Sequence, residues 1–246
     1  MLIEELIPVL KKSRKIAILT GSGISAESGI PTFRGENGLW RKYRAEELAT
    51  PSAFFRDPKL VWEWYDWRRK IIAPVEPNPG HRVLASWEKR FPEFDIITQN
   101  IDGLHQKAGS QKTTELHGNI WQVKCTKEEI ISNNFEVPLK EIPPLCPKCH
   151  SLLRPNVVWF GESLNENNLN QAIKISSQCE IMFVIGTSAV VQPAASLPYL
   201  ALREGAKIVE INIEPTPLTS QVHFFLQGKA GEILPELNER LLKNPT

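Results

Sequence analysis

Short apolar strands alternate with helical stretches along this chain of 246 residues, and that alternation constrains its fold more than any other feature. The clearest strands are Lys15–Thr20, Phe94–Thr98, Glu180–Ile185 and Lys207–Ile211. Buried strands separated by helices are typical of a parallel sheet with helices on both faces. The sequence therefore predicts a Rossmann-like α/β fold.

Apolar periodicity, together with glycine and proline positions, predicts the remaining elements. Helices are expected at 2–12, 24–29, 45–72, 81–90, 165–178, 194–204 and 231–243, a strand at 119–124 and an extended run at 157–160.

Polar and glycine-rich residues follow four of the predicted strands directly. They are Gly21–Gly23, Gln99–Asp102, Gly186–Ser188 and Asn212–Glu214. In an open parallel sheet, ligands bind at the carboxyl ends of the strands. This pattern predicts a ligand site at one edge of the sheet.

The first of these turns, Gly21–Ala26, matches the dinucleotide fingerprint G-x-G-x-x-A, although an ordinary tight turn would read the same way. A dehydrogenase also needs an acidic residue about 20 positions further on, at a strand end. Glu46 and Glu47 fall near that count, but in a charged helical stretch. If NAD binds, Asn212 and Glu214 are better placed for its adenosine ribose, which weakens the dehydrogenase interpretation.

Residues 125–156 hold five prolines and little apolar periodicity. Three of the four cysteines lie there: Cys125, Cys146 and Cys149. A zinc ribbon needs two C-x-x-C pairs, and only the second is complete because position 128 is glutamate. Either Glu128 or His150 is a candidate fourth zinc ligand. The alternative is a loop that the prolines hold without metal.

Three further side chains are ambiguous from the residues alone. His117 is of the type best suited to accept a proton near neutral pH, but an isolated histidine is more often a half-buried structural residue. Tyr65 and Arg68 share a helical face. Their tryptophan-rich surroundings favour core packing over a carboxylate-binding pair.

The composition excludes several other classes of protein. The net charge is +1, with no basic excess that would indicate direct nucleic-acid binding. No apolar run reaches the roughly 18 residues of a membrane span, so no membrane partner is expected. The N-terminus resembles no signal peptide, and we expect a cytoplasmic location.

Several segments together resemble the sirtuin family, in its prokaryotic form. They are GSGISAESGIPTFRG at 21–35, TQNID at 98–102, LHG at 116–118, CPKCHSLLRPNVVWFGE at 146–162, GTSAVVQPAA at 186–195 and NIE at 212–214. Two departures stand out: Ser22 replaces the usual alanine, and Glu128 occupies a cysteine position. The resemblance implies an NAD-dependent protein lysine deacylase with structural zinc.

The resemblance also implies a division into domains. Residues 1–35, 76–119 and 157–246 would form the Rossmann-like NAD-binding domain. A helical module at 36–75 and a zinc module at 120–156 would form a small domain, and the cleft between the domains would take NAD and acyl-lysine.

By resemblance, NAD is consumed as a co-substrate, and His117 is the general base, with Asn100 and Asp102 beside nicotinamide. The family's products are free lysine, nicotinamide and O-acyl-ADP-ribose. The implied NAD-binding residues are Gly21, Ser22, Gly23, Ala26, Glu27, Phe33, Arg34, Gln99, Asn100, Ile101, Asp102, Gly186, Thr187, Ser188, Asn212, Ile213, Glu214 and Ala230.

The acyl pocket resembles that of sirtuins that remove succinyl and malonyl groups, in Tyr65, Arg68 and the small Ala49. The implied peptide-binding residues are Val158, Phe160, Gly161 and Glu162. Acetyl and succinyl or malonyl groups on protein lysines are thus the expected substrates. The alternatives are an NAD-dependent oxidoreductase, a mono-ADP-ribosyltransferase and a zinc-ribbon interaction module.

Overall fold

The computed structural model describes residues 2–33, 39 and 44–243. The helices are α1 (Leu2–Lys12), α2 (Gly23–Ala26), α3 (Ala45–Leu48), α4 (Pro51–Arg56), α5 (Pro58–Ile72), α6 (Pro79–Arg90), α7 (Leu104–Lys107), α8 (Glu166–Gln178), α9 (Leu197–Arg203) and α10 (Ala230–Lys243). The strands are β1 (Lys15–Thr20), β2 (Glu93–Thr98), β3 (Thr113–Glu115), β4 (Gly118–Cys125), β5 (Ile131–Asn133), β6 (Leu153–Val157), β7 (Ile181–Ile185), β8 (Lys207–Asn212) and β9 (Phe224–Gln227). Short 3-10 turns occupy Ala194–Ser196 and Thr219–Gln221.

Within the described residues, a parallel sheet has the strand order β3-β2-β1-β7-β8-β9. The chain builds outward from β1 to β3 and then returns to build the other half from β7 to β9. The order therefore reverses between β1 and β7, where open α/β sheets bind their ligands.

Alternate residues of β1 pack into two different cores, one on each face of the sheet. Ile16 and Ile18 pack with residues of α1, α6 and α10. Ala17 and Leu19 pack with residues of α8 and α9 on the other face. Helices thus cover both faces, and the predicted Rossmann-like fold class is confirmed.

A third core joins α4 and α5 to a small antiparallel sheet of order β5-β4-β6. The Trp62 indole N–H of α5 donates to the Leu153 carbonyl of β6 over 2.7 Å. The segments predicted as the helical and zinc modules therefore share one hydrophobic core. This packing supports grouping them in one small domain, although the division into domains remains a prediction.

The segment 45–72 is helical as expected, but two prolines divide it, and the structure has the three helices α3, α4 and α5 there. Pro51 and Pro58 stand at first helical positions, where the missing N–H costs nothing. Thr50 and Asp57 precede them and cap α4 and α5 with their side-chain oxygens.

Two more predicted elements differ in the structure. The extended run lies earlier than expected, because β6 ends at Val157 after pairing with β4. The helix expected at 24–29 is the single turn α2, which ends at Ala26. The short strands β3 and β9 were not predicted, and no described helix is long and apolar enough to span a membrane.

Candidate active site

A cavity of about 1850 Å³ runs along the carboxyl ends of the strands that flank the reversal point. The predicted strand-end residues that line it are Gly21, Ser22, Gly23, Gln99, Asn100, Ile101, Gly186, Thr187, Ser188, Asn212, Ile213 and Glu214. Ala26, Glu27, Phe33 and Ala230 also line it. Asp102 is buried and does not line the cavity, and Arg34 lies outside the described residues.

Glycines hold the loops after β1 and β7 in direct backbone contact. A Cβ at Gly21 would lie 2.8 Å from the Gly186 carbonyl oxygen, and one at Gly23 would lie 2.6 Å from Gly186 Cα. Gly186 itself has φ +59°, a conformation that favours glycine. The G-x-G pattern therefore serves loop-to-loop packing as well as any approach to a phosphate.

A buried hydrogen-bond network lies next to these glycine loops. The Asn100 side-chain amide donates to the Gly21 carbonyl over 3.0 Å and to Ser25 Oγ over 3.2 Å. Ser25 Oγ in turn donates to the Asp102 carboxylate over 2.8 Å. Burial raises the pKa of Asp102, while its hydrogen bonds from Leu104 N–H and Ser25 oppose the rise. Asp102 thus orients Asn100 through Ser25, a residue that sequence reasoning did not select.

Thr187 connects two of the cavity's polar side chains. Its hydroxyl accepts a hydrogen bond from the Gln99 amide over 2.9 Å, and its carbonyl accepts one from the Asn212 amide over 2.8 Å. The ends of β2, β7 and β8 are thereby fixed relative to one another.

His117 lies between β3 and β4 and lines the same cavity. Its Nδ1 is 3.0 Å from the Gln99 carbonyl oxygen. A carbonyl only accepts hydrogen bonds, so Nδ1 carries the proton and Nε2 keeps its lone pair. Burial lowers the pKa of His117, and the bond to Gln99 partly offsets this. A neutral imidazole at neutral pH can accept a proton at Nε2.

The lining of the cavity also includes Tyr65, Arg68 and Ala49, together with the aromatic side chains of Phe33 and Trp64. Arg68 is only 6% exposed, and its guanidinium carbon lies 4.8 Å from the Phe33 ring centre and 5.0 Å from that of Trp64. Burial lowers the pKa of Arg68. Neither a hydrogen bond nor an ion pair is found for Arg68 in the described part of the chain.

The loop 158–162 lines the cavity, but its backbone donors are largely used within the protein. The N–H groups of Val158, Trp159, Phe160 and Glu162 all donate internally. Among the residues described, Gly161 alone in this loop has an N–H without such a partner. The Glu162 carboxylate is also engaged, in a two-bond ion pair with Arg154. An extended peptide would therefore pair here mainly with carbonyl oxygens.

The sulfur atoms of Cys125, Cys146 and Cys149 lie within 4.8 Å of one another, and those of Cys125 and Cys149 are 3.5 Å apart. Tetrahedral zinc with Zn–S bonds of about 2.3 Å places its sulfurs about 3.8 Å apart, so the three thiols fit the ion. Glu128 and His150 do not join this cluster within the described ranges, and the Glu128 carboxylate lies 3.6 Å from Lys148 Nζ instead.

Comparison with known proteins agrees with this geometry. The Sir2 family pattern matches residues 21–193. The NAD-dependent protein deacylase 1 of Caldanaerobacter subterraneus subsp. tengcongensis is 56% identical over 94% of this chain and 96% of its own. A mutant Sir2 homologue in complex with ADP ribose superposes with a TM-score of 0.95, at 45% identity over 98% of this chain and 96% of that one. A Sir2–p53 peptide–NAD+ complex gives a TM-score of 0.89, at 35% identity over 99% and 100%. The chain belongs to the Sir2 family.

Proposed function

We propose that this protein is an NAD-dependent protein lysine deacylase that removes acetyl groups and also succinyl and malonyl groups. The observation that carries the acyl preference is the buried guanidinium of Arg68, which lines the cavity shared with His117. In the described residues it forms no hydrogen bond or ion pair, and the Asp102 carboxylate acts on it only through space. The deacylase activity is supported by the relative of that name and by the complexes with ADP ribose and with peptide and NAD+.

The strand-end side of the cavity suits a dinucleotide. NAD bound there would supply the ribose carbon that receives the acyl group, with nicotinamide as the leaving group. Gln99 and Asn212 are held rigid by Thr187, and Asn100 presents its amide from a fixed position. Preorganised dipoles of this kind stabilise developing charge without reorganising.

His117 would act as the general base. Its Nδ1–H is committed to the Gln99 carbonyl, so Nε2 accepts the proton of a ribose hydroxyl. Because burial keeps the ring neutral, the lone pair is available at neutral pH.

The aromatic side would bind the acyl group. A buried cation without a hydrogen-bonded partner is costly, and a substrate carboxylate would offset that cost by accepting two parallel bonds from the guanidinium fork. Tyr65 lies three residues away on the same helix and adds a hydroxyl, while the small Ala49 leaves room for the longer acyl chain.

The three clustered thiols would hold a structural zinc ion. As thiolates they supply three ligands, and the fourth position is left to a group outside the cluster. Cys125 at the end of β4 would thereby be tied to the loop of Cys146 and Cys149, far along the chain, in a small domain that includes the helical module.

The reaction is tested by incubating the protein with NAD and matched acetyl- and succinyl-lysine peptides and following the products by mass spectrometry. We expect free nicotinamide and an acyl-ADP-ribose in equal amounts. His117→Tyr should abolish both while the circular dichroism spectrum is unchanged. Reduced nicotinamide would indicate an oxidoreductase instead, and ADP-ribose on a protein side chain would indicate a transferase.

The acyl preference is tested by Arg68→Met, which keeps much of the side chain's length but removes its charge. We expect desuccinylation to fall at least a hundredfold, because a buried charged hydrogen-bond pair is worth roughly 3 kcal/mol or more. Deacetylation should change little. An equal loss of both activities would exclude the carboxylate-binding role.

A further inference from the structure

The side chains of Trp159 and Tyr65 meet at the wall of the cavity. Trp159 Nε1 donates a hydrogen bond to Tyr65 Oη over 2.9 Å, and both side chains are buried. An indole N–H only donates, so the phenol oxygen must be the acceptor. The two residues are 94 positions apart in sequence, in α5 and in the loop after β6.

The indole of Trp159 is fixed in this orientation by its other contacts. The Arg154 guanidinium carbon lies 3.6 Å from the indole ring centre, and the Phe54 ring centre lies 5.3 Å away. Arg154 is held by bonds of 2.5 and 2.9 Å to Glu162, which also accepts the Trp159 backbone N–H over 2.8 Å. The donor therefore reaches the phenol from one fixed direction.

Tyr65 Oη accepts this bond, but it also carries one proton of its own. Burial raises the pKa of Tyr65, with Arg68 opposing the rise, so the phenol remains protonated at neutral pH. No acceptor for its O–H is found among the residues that the structure describes. Arg68 cannot serve, because a guanidinium has donors only.

The hydroxyl of Tyr65 and the guanidinium of Arg68 thus require the same kind of partner. Both line the cavity, both have protons to donate, and the Arg68 guanidinium carbon lies 5.8 Å from the Tyr65 ring centre. Without the indole, Arg68 could donate to the phenol oxygen instead. With the indole in place, that acceptor position is occupied, and both groups stay available to an incoming anion.

We propose that Trp159 is a positioning residue for acyl specificity: its indole N–H occupies the acceptor side of the Tyr65 hydroxyl, so that the hydroxyl donates to a carboxylate at the end of the acyl group. The inference rests on the proposed desuccinylase and demalonylase function. An acetyl group carries no such carboxylate, so this orientation has no effect on it.

The test replaces the indole N–H in the full-length protein and compares succinyl- and acetyl-lysine peptides. Trp159→Phe should lower kcat/KM for desuccinylation about five- to tenfold, mainly through KM, which is the size of one lost hydrogen bond. Deacetylation should change less than about twofold. Phenylalanine is also smaller than tryptophan, so Trp159→Phe changes the packing as well as the hydrogen bond. A second variant therefore carries 3-benzothienylalanine at position 159, which keeps the bicyclic shape and lacks only the N–H. It should reproduce the loss.

A double-mutant cycle tests whether Trp159 acts through Tyr65. In a Tyr65→Phe background, Trp159→Phe should cause no further loss of desuccinylation, because the hydroxyl that it orients is already absent. Trp62→Phe is the matched control. It also removes a buried indole hydrogen bond, but that bond goes to the Leu153 carbonyl and not to Tyr65. It should lower stability and leave the ratio of the two activities unchanged.

Additive losses in the cycle, or equal losses for both acyl groups in the benzothienyl variant, would overturn the inference. If Arg68→Met selectively removes desuccinylation while the Trp159 variants do not, only the role of Trp159 is rejected. If Arg68→Met also affects both activities equally, the carboxylate-binding proposal itself fails, and the role of Trp159 fails with it.

Discussion

Two buried histidines should make the folded state sensitive to mild acid. His81 of α6 and His105 of α7 are at most 2% exposed, and their ring centres are 5.0 Å apart. His105 Nε2 is 2.9 Å from Thr20 Oγ1, but no partner is found in the described residues for His105 Nδ1 or for either nitrogen of His81. Burial lowers the pKa of His81 to about 2, with His105 contributing, and that of His105 to about 4.

The sign and size of the effect follow from proton linkage. Above the ordinary histidine pKa of about 6.5, both rings are neutral in the folded and unfolded states, and their contribution to stability does not depend on pH. As the pH falls below that value, the unfolded chain binds protons that the folded chain rejects. At about pH 5 each histidine costs roughly 2 kcal/mol, and together they give a slope of about 2.5 kcal/mol per pH unit. This is a large part of a typical stability of about 5–15 kcal/mol.

Urea unfolding followed by tryptophan fluorescence at several pH values between about 5 and 8 measures this slope. His81→Leu and His105→Gln should each remove about half of the histidine contribution. Val83→Ala, in the same helix as His81, should lower stability by a similar amount at every pH and leave the slope unchanged. All variants contain the same carboxylates, so the contribution of the carboxylates to the pH slope cancels when the variants are compared. Histidine variants with the wild-type slope would refute the assignment.

Two further outcomes follow from the packing of the site. Gly21→Ala should weaken NAD binding at least tenfold, measured by calorimetry, because the new Cβ would lie 2.8 Å from the Gly186 carbonyl and the loops must separate. Cys146→Ser should reduce the zinc content, measured by elemental analysis, from about one ion per chain and lower the melting temperature. Cys179→Ser, which alters a buried cysteine outside the cluster, should keep the zinc, and unchanged zinc in Cys146→Ser would exclude the thiolate site.

The sequence predicted the strands of the main sheet well where they are apolar on both faces. Lys15–Thr20 has the predicted bounds, and β7 and β8 differ from prediction by one residue. Burial on both faces leaves a continuous apolar run that is easy to recognise. The edge strands β3 and β9 are short and partly exposed, so their residues carry no such signal.

Site residues that lie at strand ends could be predicted from the sequence. Site residues whose role depends on contacts between loops distant in sequence could not. Gln99 and the glycine turns stand directly after strands, and Asn212 is the last residue of β8. Ser25 was not predicted, and Thr187 was predicted only as one of many NAD-binding residues. The hydrogen bonds that these two side chains make depend on which loops lie next to each other in the fold. In the sequence nothing distinguishes His81 and His105 from the other histidines, because their burial becomes visible only in the fold.

The two sides of the cavity are built by different physical means, which explains why one side was easier to infer. The side that we propose for the dinucleotide is backbone held at close range by Gly21 and Gly186, and glycine spacing records that requirement in the sequence. The side that we propose for the acyl group is a set of side chains from distant segments, in which a buried Arg68 lies near a hydroxyl that accepts a hydrogen bond from Trp159. There each residue type permits several interpretations. Only the combination of burial, missing partners and hydrogen-bond direction favours an anionic substrate.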